Sequence, residues 1–173
     1  VLGEHVEQKG SLVSPSRLRF DFSHFQKLSA EEIVSIEKLV NTMIRQNIPL
    51  DEKREMPVKE ALNLGAMSLF GEKYGHLVRV IKFGDSIELC GGTHAPFTGN
   101  IGSFKIVGES AIAAGIRRIE AITSAQVDNY MYEKINTIND ISSLFKNPGD
   151  LVKNVENLLA ENTRLTKSLE IFA

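Results

Sequence analysis

Leu77-Val78-Arg79-Val80-Ile81-Lys82-Phe83-Gly84-Asp85-Ser86-Ile87-Glu88-Leu89-Cys90 is the stretch that decides the fold. It reads as two strands, residues 77–83 and 87–90, joined at Gly84-Asp85. Glycine supplies the backbone angles that a tight connection between antiparallel strands needs. The same reading repeats downstream, where residues 104–110 and 116–123 form a second pair turned by Ala113-Ala114-Gly115. Upstream, residues 17–24 alternate strictly. Leu18, Phe20 and Phe22 share one face, and Arg19, Asp21 and Ser23 share the other, as in a half-buried strand. Residues 50–56 read as a further strand.

Helices fill the intervals. Ser29-Ala30-Glu31-Glu32 has the S-x-x-E pattern of a capping box. After it, Ile33, Ile36, Val40, Met43 and Ile44 form an apolar stripe with Leu39 beside it, and the helix is expected to end near Asn47, before Pro49. Pro57 suits the first position of a short helix through Leu64, closed by Gly65. Gly71 and Gly75 punctuate a polar turn, with Glu72-Lys73-Tyr74 as its solvated part. From Thr123-Ser124-Ala125-Gln126, which can begin a helix with its own capping box, the chain reads as helical, with one break at Asn147-Pro148-Gly149. Leu151, Val155, Leu158, Asn162, Leu165, Leu169 and Phe172 are spaced 4, 3, 4, 3, 4, 3, a heptad seam. It suits packing on the chain's own partner helix or a self-associating arm. The predicted class is α+β: a mostly antiparallel sheet packed with helices, followed by a helical C-terminal extension with a coiled-coil-like seam. The expected division is residues 1–124 and 125–173.

Bulk composition excludes some classes. Of 173 residues, 42% are hydrophobic and 24% charged, as in ordinary globular proteins. A net charge of −2 shows no overall basic footprint, so any nucleic-acid contact has to be a local patch. The single cysteine, Cys90, rules out an intrachain disulfide. No apolar run approaches membrane-spanning length, and no signal peptide is present, so a cytoplasmic protein is expected. The first residue is Val1 and the last, Ala173, falls within a helical pattern, so both ends read as cuts from a longer chain.

Chemistry concentrates in Glu88-Leu89-Cys90-Gly91-Gly92-Thr93-His94. A thiol and an imidazole lie four positions apart across two glycines, and a short flexible loop lets such side chains converge on zinc. Because Ile87 and Leu89 face one way, Glu88 and Cys90 face the other. Two ligands do not make a site, however. Taken alone, the spacing also suits a buried structural cysteine beside a solvated histidine, or a Cys–His nucleophile pair. Other residues have mainly structural readings. Lys9-Gly10-Ser11 suits a turn or an approach to phosphate through its backbone. Arg118 and Glu120 share a strand face and are placed to pair, while Arg117 points the opposite way. His24 falls on the apolar side of its strand. No glycine-rich ATP loop is present.

Cys90-Gly91-Gly92-Thr93-His94 after Ile87-Glu88-Leu89 resembles the second zinc motif of alanyl-tRNA synthetase editing domains. Residues 5–13 (His-Val-Glu-Gln-Lys-Gly-Ser-Leu-Val), 18–24, 65–75 and 115–123 resemble further segments of that family in the same order. The resemblance covers roughly residues 1–125; the helical remainder is more loosely similar to the start of the family's C-terminal region. It implies zinc-assisted hydrolysis of serine or glycine wrongly attached to tRNA(Ala), within an enzyme that attaches alanine to that tRNA. It implies ligand roles for Cys90 and His94, a pocket role for Gln8 and a substrate contact for Thr93. Arg117 and Arg118 are candidates for contact with the tRNA acceptor end. ATP and Mg2+ would belong to a catalytic domain in other sequence.

The sequence departs from the family in one respect. Its histidines are His5, His24, His76 and His94, and none forms the H-x-x-x-H pair that completes the family's zinc site. In the family that pair lies a short distance upstream of the position of Val1. The expectation is a chain that folds but binds zinc weakly and hydrolyses poorly, with His5 as a possible substitute ligand. The alternative is a tRNA-binding, dimerising module without catalysis in this form.

Overall fold

The computed structural model describes residues 1–68 and 74–172. Residues 1–127 and 128–173 form two separate compact units. The architecture is α+β, with two antiparallel sheets. The expected polar turn at 71–75 falls largely outside the described residues.

The four-stranded sheet of the first unit has the order β1-β2-β7-β6, built from β1 (Gln8–Val13), β2 (Leu18–Ser23), β6 (Phe104–Ala113) and β7 (Ile116–Thr123). Lys9-Gly10-Ser11 is therefore strand and not a turn. A register shift between Gln8 and Gly10 broke the alternation that would have revealed it. In β2 the alternation holds: Leu18 lies opposite Ala121 and Phe20 opposite Ile119. The hairpin from β6 to β7 closes on Ala114-Gly115, where Gly115 takes φ +69°.

α1 (Ala30–Arg45) lies on the apolar face of this sheet. Its capping box forms as predicted: the Ser29 hydroxyl accepts from the Glu32 amide at 3.1 Å, and the Glu32 carboxylate accepts from the Ser29 amide at 2.7 Å. Ile33, Ile36 and Val40 pack on a core of Phe22, Leu28, Ile44, Phe104, Ile106, Ile119 and Ala121. Leu39 and Met43 lie at the edge of the stripe and stay exposed. Polar bonds tie helix to sheet: Asn41 accepts from the Phe104 amide at 2.9 Å and donates to its carbonyl at 2.8 Å. Glu37 accepts from the Ile106 amide at 2.8 Å and from Lys105 at 2.9 Å.

The second sheet has the order β3-β4-β5, from β3 (Asp51–Pro57), β4 (Leu77–Phe83) and β5 (Ser86–Leu89). Met67 extends it on the far edge of β5: its amide donates to the Ile87 carbonyl, and its carbonyl accepts from the Leu89 amide, each at 2.9 Å. Met56, Ala61, Ala66, Val78, Val80 and Leu89 are buried together beneath α2 (Val58–Asn63). Pro57 ends β3 one position before that helix, and Gly65 follows it with φ +82°.

α3 (Ala125–Ser143) begins in the first unit, and α4 (Leu151–Phe172) belongs to the second. The capping box expected at Thr123 does not form. Thr123 is still paired with Phe104 in the sheet, and Ser124 turns the chain at φ +51°. The expected break before α4 is present, and Asp150 caps α4 by accepting from the Lys153 amide at 3.0 Å. Val155, Leu158, Leu165 and Leu169 on the heptad seam are exposed.

Candidate metal centre

β5 carries Leu89 into the apolar cluster, where it is buried, so strand alternation turns Glu88 and then Cys90 to the opposite side. The last ladder contact passes from the Cys90 amide to the Arg79 carbonyl at 3.2 Å, after which the chain leaves the sheet. Gly91-Gly92-Thr93 then carries His94 back toward Cys90. A Cβ on Gly92 would stand 3.6 Å from the Cys90 sulfur, so glycine there leaves that flank of the thiol uncovered.

Donor atoms of Glu88, Cys90 and His94 all lie within 4.8 Å of one another. Cys90 and His94 are half-buried. The Nδ1 atom of His94 is buried and has no hydrogen-bond partner. A buried polar atom without a partner is costly and calls for an explanation, of which a bound ion is one. Carboxylate, thiolate and imidazole are all zinc donors, and three of them with a fourth position open is the usual composition of a catalytic zinc site. Tetrahedral zinc holds such donors about 3.3–3.8 Å apart, and a mutual spacing within 4.8 Å brings the three into that neighbourhood. The residues present therefore fit zinc.

The sequence reading missed Glu88 as a third donor. The signal was its shared face with Cys90, but convergence with His94 depends on the path of the loop.

A cavity of about 460 Å³ adjoins the group and is lined by Val6, Glu7, Gln8, Phe20, Met67, Ser68, Glu88 and Leu89. It brings Gln8 on β1 and Glu88 on β5 to one pocket from strands far apart in sequence. The Gln8 amide donates to the Ser11 hydroxyl at 3.4 Å, a long bond. Thr93 is exposed beside the ligands. A larger cavity, about 640 Å³, opens between α1 and the four-stranded sheet, with Phe20, Ile36, Val40, Ile44 and Ile119 among its walls. It holds none of the three donors, whereas the smaller cavity takes in Glu88, and a further one of about 280 Å³ takes in Arg79, Cys90 and Gly91.

The other candidates lie on the four-stranded sheet. Arg118 forms a fork to Asp21, with Nε to Oδ1 at 2.6 Å and Nη2 to Oδ2 at 2.7 Å. The Arg118 guanidinium holds the Asp21 carboxyl below the ordinary carboxylate range. The expected Arg118–Glu120 pair is thus replaced, and Glu120 takes Arg17 at 3.1 Å instead. Residues two apart on a strand are separated by about 6.6 Å, whereas directly opposed side chains on neighbouring strands are closer. Asp21 is the direct partner of Arg118 in the register. Arg117 donates to Glu109 at 2.6 Å through Nε. His5 joins His24 through a ring–ring hydrogen bond of 2.8 Å and is not among the metal donors. The His24 ring also stands against Phe22, at 6.3 Å between centroids.

Comparison with known proteins fits this geometry. Residues 78–120, which include β4 from its second residue, β5 and the whole donor loop, match the family described as "Threonyl and Alanyl tRNA synthetase second additional domain". The chain is 56% identical over 172 residues to "Alanine--tRNA ligase" of Bacteroides fragilis, covering 99% of this chain and 20% of that protein. It is 57% identical over 170 residues to "Alanine--tRNA ligase" of Bacteroides thetaiotaomicron, covering 98% and 20%. The corresponding protein of Cytophaga hutchinsonii is 56% identical over 172 residues, again covering 98% and 20%. The chain thus spans about a fifth of the length of these relatives. No helix among the described residues is long and apolar enough to cross a membrane.

Proposed function

Because the chain belongs to the alanyl-tRNA synthetase family, we propose that it is the editing module of such an enzyme, a deacylase that releases serine or glycine wrongly attached to tRNA(Ala). In this reading residues 1–124 form the editing domain and residues 125–173 begin the C-terminal region. The whole enzyme is a cytoplasmic alanine–tRNA ligase whose ATP- and Mg2+-dependent chemistry lies in other sequence.

The observation that carries the proposal is the convergence of Glu88, Cys90 and His94, with the unpartnered His94 Nδ1, at the edge of the cavity that contains Gln8. Cys90 and His94 hold the metal, with Glu88 as third donor. When bound, zinc supplies Lewis-acid polarisation of an ester carbonyl. Gln8 offers an amide that can both donate and accept, which suits orienting the aminoacyl group. Thr93 contacts the substrate beside the ligands. Of the two arginines assigned to the acceptor end of the tRNA, Arg118 is the more exposed, 27% against 13% for Arg117.

Lacking an H-x-x-x-H pair, this chain holds zinc weakly and hydrolyses slowly by itself. The exposed apolar positions on α4 support a second reading, in which this form binds tRNA and self-associates without catalysis.

Deacylation of Ser-tRNA(Ala) tests the proposal, with the chain as it stands and with an upstream extension that supplies the histidine pair. The extension is expected to raise both zinc content, by elemental analysis, and the rate of serine release. An extended chain that binds zinc and leaves Ser-tRNA(Ala) intact would refute the catalytic reading.

A further inference from the structure

The loop that presents Cys90 and His94 has little of its own to hold it. Among the described residues, its backbone from Gly91 to Ala95 makes no hydrogen bond within the main chain. Two of its residues are glycines, which have the most backbone freedom to lose on ordering. One side chain reaches it from β4. Nη1 of Arg79 donates to the Cys90 carbonyl at 3.1 Å and also to the Gly92 carbonyl, bracketing Gly91. Nε of the same guanidinium donates to Glu52 on β3 at 2.7 Å. Arg79 and Glu52 are both largely covered, at 24% and 20% side-chain exposure, whereas Arg54, which also bonds Glu52, is 80% exposed.

We propose that Arg79, braced by Glu52, is a positioning residue that clamps the Cys90–His94 loop in its metal-presenting form before any ion arrives. The inference rests on the metal-centre reading for its purpose but not for its geometry. A planar guanidinium with several N–H donors can bridge two carbonyls and a carboxylate at once. A lysine ammonium has three donors at one point and cannot span the same set. The clamp joins β3, β4 and the loop, so Cys90 and His94 are aimed from a rigid sheet. Partners that orient metal ligands without touching the ion commonly change metal affinity 10–100-fold when removed.

Two measurements on the full 173-residue chain test the clamp: 15N relaxation on the metal-free protein, and zinc affinity by chelator competition. Wild type is expected to show order parameters for Gly91, Gly92 and Thr93 close to those of the sheet, about 0.8. Arg79→Met is expected to bring them below about 0.6, with the values for Ile119 and Ala121 unchanged. The same variant is expected to weaken zinc by about 10–100-fold. Arg54→Met should change neither quantity, and Glu52→Gln, which keeps an acceptor for Arg79, should retain most of the loop order.

If Arg79→Met does not fold, Arg79→Lys replaces it and is expected to loosen the loop with the sheets intact. Loop order unchanged in a folded Arg79 variant would overturn the clamp. A loosened loop with unaltered zinc affinity would overturn its role in presenting the ligands. Absence of zinc binding in wild type would remove the metal-centre reading, and the relaxation data would still decide whether Arg79 orders the loop.

Discussion

On the four-stranded sheet the carboxylates have found cations: Asp21 takes Arg118, Glu109 takes Arg117, Glu120 takes Arg17. At the end of β5, Glu88, Cys90 and His94 converge mainly on one another, and the buried His94 Nδ1 has no partner. Both regions are rich in polar groups, and on the sheet Arg19 Nε and Glu109 Oε2 are also buried without a partner, but among the described residues only the second region gathers metal-binding donors at one point. A satisfied ion pair has spent its capacity on the fold, whereas converging donors without a counter-charge retain theirs for a ligand. Arginines that looked suited to tRNA in sequence are anchored, and a glutamate noted in sequence only for sharing a face with Cys90 joins the donor group.

Four changes would break or sharpen this contrast. The largest effect is expected from Phe22→Ala, which empties the centre of the four-stranded core. Phe22 is 2% exposed, and loss of a buried phenylalanine costs about 3–5 kcal/mol. Denaturant unfolding measures it, and a loss below about 1 kcal/mol would show that this core is not where the unit's stability resides. Next, Cys90→Ala is expected to weaken zinc by more than about 100-fold, beyond the effect of losing a supporting residue, with little change in unfolding midpoint. Retained zinc affinity in chelator competition would show that the donors on β5 are as idle as a structural cysteine.

Acid separates the two regions more gently. Asp21, held low chiefly by its hydrogen bond to Arg118, and Glu52, held low first by Arg79 and then by Arg54, have folded-state pKa values below their unfolded ones. Their stabilisation is fully present above the ordinary carboxylate range and is lost as pH falls through the lowered values. The unfolding midpoint should hold steady from neutrality to about pH 5 and decline below about pH 4. Asp21→Asn should lower the neutral plateau and flatten that decline; an equally steep decline in the variant would remove Asp21 as a cause. The smallest effect is expected from Arg118→Gln on tRNA binding, a reduction of about one in the slope of log affinity against log salt. An unchanged slope would mean that Arg118 serves the sheet alone.

Much of the fold was legible because its signals are local. The capping box at Ser29, the alternation through Phe20 and Phe22, and the turns at Gly84 and Gly115 each depend on neighbours in sequence, and each element formed. β1 was missed because its bulge at Gln8 and Gly10 interrupts the period of two. The second capping box failed because Thr123 is retained by β6. At the site, Cys90 and His94 were legible from their spacing. Glu88 was half legible, since parity placed it beside Cys90 without showing where His94 would return. The hold of Arg79 on the loop was not legible, because it depends on β4 lying beside the departing end of β5.

The sequence by itself determined the α+β class, most of the strands, the helix starts that local hydrogen bonds define, and the thiol–imidazole pair. These follow from backbone preference and side-chain period, which act over a few residues. Only the tertiary structure decided which carboxylate meets which arginine, that Gln8 and Glu88 share a cavity, and that one guanidinium bridges a loop and two strands. Hydrogen bonds and ion pairs act over about 3 Å, and strand register brings within that distance groups as far apart in sequence as Asp21 and Arg118.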